Sequence, residues 1–81
     1  MNYSMKQWAE DVWRRDDWTC QNCGATTHLD AAHIIPRQRR PDLAHDVNNG
    51  VTLCRGCHGF YHQFPKQFEL FVATLDRHAT S

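Results

Sequence analysis

Asn49-Gly50-Val51-Thr52-Leu53-Cys54-Arg55-Gly56-Cys57-His58 compresses a turn, a strand, a cysteine pair and the approach to a helix into one continuous segment. Asn48-Asn49-Gly50 is turn chemistry, Val51 to Leu53 reads as a short strand, and Cys54 and Cys57 are separated by two residues. Such a segment needs a second strand to pair with and a second set of thiols to meet. Both lie upstream. Leu29 to Ile35 is mostly apolar, contains two β-branched isoleucines and is stopped by Pro36, so it reads as the partner strand. Cys20-Gln21-Asn22-Cys23 is the matching pair, and Gly24 after it permits the left-handed backbone that a tight turn around a metal requires.

Two Cys-x-x-Cys pairs across a long intervening stretch are zinc spacing, and a site closed by four thiolates is structural. Zinc held this way contributes on the order of ~10 kcal/mol to folding, which would offset the thin core of an 81-residue chain. The alternative is two disulfides. That reading calls for an oxidising compartment, and the N-terminus lacks the basic-then-apolar layout of a signal peptide. No stretch approaches the ~20 apolar residues of a membrane span, so the expectation is a cytoplasmic protein with no membrane partner.

Further outward, Met5, Trp8, Ala9, Val12 and Trp13 recur at helical spacing between Ser4, a candidate N-cap, and Trp18. Arg14 and Arg15 suit the C-terminal end of that helix, whose tryptophans are expected to pack on the zinc knot. Arg37 to Asn49 reads as a loop. A second helix begins at Cys57 and places His58 and His62 one turn apart on one face. Pro65 either interrupts it or opens a third helix, striped by Phe68, Phe71, Val72 and Leu75. His78 to Ser81 reads as a frayed tail. Without repeats or a dividing linker, residues 1–81 are expected to form a single α+β domain.

Nine Lys and Arg balance nine Asp and Glu, so bulk charge does not recruit nucleic acid. Local charge is uneven, however, because Arg37, Arg39 and Arg40 crowd one segment and can grip phosphate. A solvated surface loop is the other reading of that cluster. Of six histidines, His28, His45 and His78 read as solvated side chains. His33 read alone is a half-buried strand histidine, and His58 read alone is a substitute zinc ligand. With four thiolates already saturating a zinc ion, His58 and His62 are free to hold a different one.

Taken together, Cys20-Gln21-Asn22-Cys23-Gly24, Leu29-Asp30-Ala31-Ala32-His33-Ile34-Ile35-Pro36, the segment Asn49 to His58 and the trailing His62 resemble the HNH endonuclease family, over about Arg14 to His62. The resemblance implies a small ββα-metal fold with a structural four-cysteine zinc knot and flanking N- and C-terminal helices. It also implies metal-dependent hydrolysis of DNA phosphodiester bonds, by nicking or cutting. His33 would then be the general base that takes a proton from the attacking water, a task suited to a side chain whose ordinary pKa is about 6.5. Asn49, with Asn48 as fallback, would hold the backbone so that the base points at the scissile phosphate. Adjacent asparagines also suit a plain turn.

On the same resemblance His58 and His62 would hold one catalytic divalent cation: magnesium, manganese, nickel or zinc. Arg37, Arg39 and Arg40 would contact the DNA phosphates, with Arg55 a weaker candidate. Many members place a His or Asp directly before the general base as a further ligand, and here that position is Ala32. Asp30 lies two residues earlier. A strand rise of about 3.3 Å per residue sets it away from the usual position, so it joins the metal only through a bulge; otherwise water or substrate phosphate takes that place. Partner proteins of phage packaging or restriction, and a bacterial or phage origin, follow from the family's range; oligomeric state stays open. The competing expectation, prompted by Ala32 and the neutral charge, is a zinc-binding nucleic-acid or protein adaptor on the same scaffold that has lost catalysis.

Overall fold

Ser4 opens the first helix through reciprocal hydrogen bonds. Its Oγ accepts from the Gln7 N–H at 3.1 Å, and the Gln7 side chain accepts from the Ser4 N–H at 2.9 Å. In the computed structural model, which describes residues 3–75, this helix, α1, runs Met5–Arg15. It stops short of the expected Trp18 because Asp17 and Trp18 adopt left-handed backbone conformations, at φ 58° and 53°, which turn the chain toward Cys20. The expected tail His78 to Ser81 lies outside the described residues.

Strands β1 (Leu29–His33) and β2 (Gly50–Cys54) form an antiparallel ribbon, with Leu29 opposite Cys54 and His33 opposite Gly50. Side-chain alternation divides its two faces. Ala32, Val51 and Leu53 are buried with Cys20 against Tyr61, Phe68 and Phe71. The other face meets α1, where Thr52 Oγ1 donates to the Val12 carbonyl at 3.3 Å. Gly50 is required there: a Cβ at that position would lie 2.5 Å from Val12 Cγ2 and 2.8 Å from Trp8 Cζ2. Strand β1 ends at His33, short of the expected Ile35, because Asn49 captures the next two residues. Its carbonyl accepts from the Ile34 N–H and its side chain brackets Ile35.

The tryptophans of α1 do not dock on the zinc knot as the sequence reading expected. Trp8 is buried over Gly50 and His33, while Trp13 meets Trp18 with ring centroids 5.5 Å apart. An amphipathic stripe fixes which face of a helix is buried, but not what it is buried against. Asp16 and Arg15 tie the end of α1 to β2. The buried Asp16 carboxylate accepts from the Thr52 N–H at 3.0 Å and from the Arg15 guanidinium, which also donates to the Gly50 carbonyl at 2.7 Å.

Two single 3₁₀ turns, Pro41–Leu43 and Val47–Asn49, give the expected loop fixed structure and bury Leu43 and Ala44. Helix α2 covers Arg55–Gln63 and starts before the expected Cys57, because Cys54 acts as its N-cap, Sγ accepting from the Cys57 N–H at 3.4 Å. Pro65 opens α3 (Pro65–Ala73) at its first turn rather than interrupting α2. Among the described residues no helix is long and apolar enough to cross a membrane.

Candidate functional site

The two cysteine pairs converge. One sulfur from each of Cys20, Cys23, Cys54 and Cys57 lies within 4.8 Å of all the others, and Cys23 Sγ stands 3.6 Å from Cys54 Sγ. A tetrahedron with Zn–S bonds of about 2.3 Å has edges of about 3.8 Å, so the donor set fits a structural metal such as zinc. That spacing is far beyond a disulfide bond, and all four cysteines are free. Burial raises the Cys20 thiol, but hydrogen bonds from the backbones of Cys23, Cys54 and Asn22 outweigh it and bring its pKa down to about 6. Burial, reinforced by Cys54, Cys23 and Cys20, pushes Cys57 up to about 12, although the Asn22 side chain opposes it. A dication relieves the repulsion among thiolates crowded this closely.

Asn22 braces one of the sulfurs. Asn22 Nδ2 donates to Cys57 Sγ at 3.3 Å, and Asn22 Oδ1 accepts from the Tyr61 hydroxyl at 2.9 Å. Tyr61 stands on α2 between His58 and His62. The first cysteine pair is thereby linked directly to the helix that carries both histidines.

At the end of β1, His33 is held from two sides. Its imidazole stacks on the Trp8 indole, centroids 4.1 Å apart and planes 9° from parallel, and its Nε2 lies 2.9 Å from the Ala44 carbonyl oxygen. A carbonyl only accepts, so Nε2 carries the hydrogen of the neutral ring and Nδ1 keeps its lone pair. Asn49, 0% exposed, fixes the backbone on both sides of this arrangement. Its Oδ1 accepts from the Ile35 N–H at 2.8 Å, while Nδ2 donates to the carbonyls of Ile35 and Leu43 at 3.0 and 3.2 Å. Asn48 is exposed and makes none of these contacts; its backbone N–H binds Asp46.

On α2 the rings of His58 and His62 lie edge to face, with centroids 6.2 Å apart. The paired register of β1 is continuous, so Asp30 is not carried forward by a bulge. It shares a sheet face with Ala32, toward α2, and its Oδ2 lies 3.1 Å from His58 Nδ1. Ala32 itself, 4% exposed, packs in the core and offers no donor.

His33, His58, His62, Arg37 and Arg39 line one cleft of about 720 Å³. Glu69 of α3 lines it too, a residue the sequence reading passed over because nothing in the chain ties α3 to the histidines. Arg40 is not in that lining. Its guanidinium forks onto Asp42, Nη2 to Oδ2 at 2.7 Å, and the carboxylate holds the Arg40 charge firmly while its own pKa is lowered. Arg55 borders a smaller depression beside Asp30, His58 and His62.

This is a small α+β domain whose four clustered cysteines are placed to hold a structural metal such as zinc. The family model described as HNH endonuclease matches residues 20–64, more than half of the 81-residue chain, and the chain belongs to that family. No curated protein and no solved structure matches the chain. The matched span begins at the first cysteine and closes just after α2, so α1 and α3 lie outside it.

Proposed function

We propose that the protein hydrolyses phosphodiester bonds in DNA, with His33 as general base. One observation carries this reading: a strand histidine whose Nε2 is committed to the Ala44 carbonyl, leaving Nδ1 to accept a proton, lines the same cleft as the His58 and His62 pair. His33 Nδ1 takes a proton from water as the water oxygen attacks phosphorus. The P–O3′ bond breaks, the leaving 3′ oxygen takes up a proton from solvent water, and the products are a 5′ phosphate and a 3′ hydroxyl. Asn49 keeps the turn after β1 in register so that the imidazole retains its direction. Arg37 and Arg39 bind the phosphates flanking the cleaved bond.

His58 and His62 are the residues to hold a divalent cation, which supplies Lewis-acid stabilisation of charge on the phosphoryl and leaving oxygens when bound. Asp30 acts through His58 rather than as a ligand. A carboxylate that accepts from Nδ1–H fixes the tautomer and leaves Nε2 as the coordinating nitrogen, the usual arrangement behind a metal-bound histidine.

The test is cleavage of supercoiled plasmid by the purified protein, with EDTA and then with added magnesium, manganese or nickel, alongside His33→Ala. Nicked or linear product that needs added metal and vanishes in the variant is the expected result. Full activity in folded His33→Ala removes the assignment. DNA binding without cleavage under every metal assigns the scaffold to an adaptor instead.

A further inference from the structure

We infer that Trp8, from a helix outside the matched nuclease segment, is a positioning residue for His33: its indole sets the plane of the imidazole and so the direction of Nδ1. The inference rests on the reading of His33 as general base. The Nε2 contact to the Ala44 carbonyl fixes one point of the ring but leaves it free to swing about that point, and a stack at 4.1 Å and 9° removes that swing. Trp8 is itself immobilised. It is 2% exposed, and its Nε1–H donates to the Asp46 carbonyl at 2.9 Å. The opposing strand makes room for it, because Gly50, paired with His33, has no side chain where the indole passes.

Three restraints from three parts of the chain thus converge on one half-buried ring: Trp8 on its face, Ala44 at Nε2, and Asn49 on the backbone behind it. A general base works only when its lone pair meets the attacking water in line. Misplacement of about 1 Å by a residue remote from the chemistry costs on the order of 100-fold in rate. The proteins that share only the 20–64 segment need not carry this restraint, since α1 supplies it.

Trp8→Phe and Trp8→Leu separate positioning from packing. Both shrink the core and both lose the hydrogen bond to Asp46, but only Phe keeps a flat ring against His33. Metal-dependent plasmid cleavage is measured below the melting temperature of each, together with NMR spectra of the His33 ring protons. The expected result is a loss of about 100-fold in kcat for Trp8→Leu, an unchanged KM for DNA, and most of kcat retained in Trp8→Phe. The His33 ring protons should be displaced upfield by the indole ring current in the wild type and in Trp8→Phe, and should return toward ordinary imidazole positions in Trp8→Leu.

Equal kcat in the two variants overturns the inference and leaves His33 as the base. A wild-type spectrum without upfield displacement also overturns it, and that measurement stands even where a variant does not fold. Cleavage by His33→Ala is a different failure, because it removes the base that Trp8 is inferred to position.

Discussion

Asp30 Oδ2 lies 3.1 Å from Nδ1 of His58, so the strand that carries His33 also braces the helix that carries His58 and His62. Asp30→Asn should keep the fold and weaken binding of the second divalent ion by about 10- to 100-fold, the range seen when a carboxylate behind a coordinating histidine is lost. Isothermal titration of the zinc-loaded protein with manganese checks this. An unchanged affinity would show that the carboxylate does not act through His58.

Asn49 makes three hydrogen bonds from a fully buried side chain, two of them as donor. Asn49→Asp preserves size and the contact with the Ile35 N–H, but it turns a carboxylate oxygen toward the carbonyls of Ile35 and Leu43. We expect a destabilisation of at least about 1–3 kcal/mol by thermal melt and a fall in cleavage rate on the order of 100-fold at temperatures where the protein is folded. Asn48→Asp should change neither measurement appreciably.

Gly50 has no space for a methyl group beside Val12 and Trp8. Gly50→Ala should destabilise by about 1–3 kcal/mol and Gly50→Val by more, read from chemical denaturation. An Ala variant as stable as the wild type would mean that α1 is free to shift off the ribbon.

The arginine cluster is split by its local partners. Arg37 and Arg39 line the cleft, whereas Arg40 is paired with Asp42. Arg37→Ala and Arg39→Ala should each weaken DNA binding and reduce the slope of log affinity against log salt by about one, while Arg40→Ala should leave that slope nearly unchanged. Fluorescence anisotropy over a salt series distinguishes the three.

Removal of the structural metal by a strong chelator should unfold the domain, followed by loss of near-ultraviolet tryptophan dichroism. Asn22→Ala, which deletes both the donor to Cys57 and the acceptor for Tyr61, should release zinc about 10- to 100-fold more readily while leaving all four thiols in place. Competition with a zinc-sensitive dye gives the ratio.

What could be read from the chain was whatever is encoded over a few neighbouring residues. The cysteine pairs, the one-turn spacing of His58 and His62, and Pro36 after the first strand are local signals, and they located the elements but not their ends: β1 stops at His33, before Ile35, and α2 starts at Arg55, before Cys57. Contacts that cross between elements were not legible. Trp8 against His33, Asp30 against His58 and Asn22 against Tyr61 depend on how α1 and α2 settle on the ribbon, and no spacing rule encodes that. The contact of Asp30 with His58 came nearest to being legible. Alternation along β1 already placed it on the face of Ala32, and only the position of α2 was needed to see that His58 would meet it. The tryptophans were assigned to the wrong neighbour for the same reason, since a stripe of apolar residues identifies a buried face and not its partner.

Cys54 is at once a member of the four-cysteine cluster and the N-cap of α2, and Cys57 directly precedes His58. The four-cysteine cluster and the helix of the histidines therefore share a first turn, so an ion held by the four sulfurs would also pin the start of that helix. Metal supply would then decide whether His58 and His62 come to share one helical face at all, a condition set once, as the chain folds.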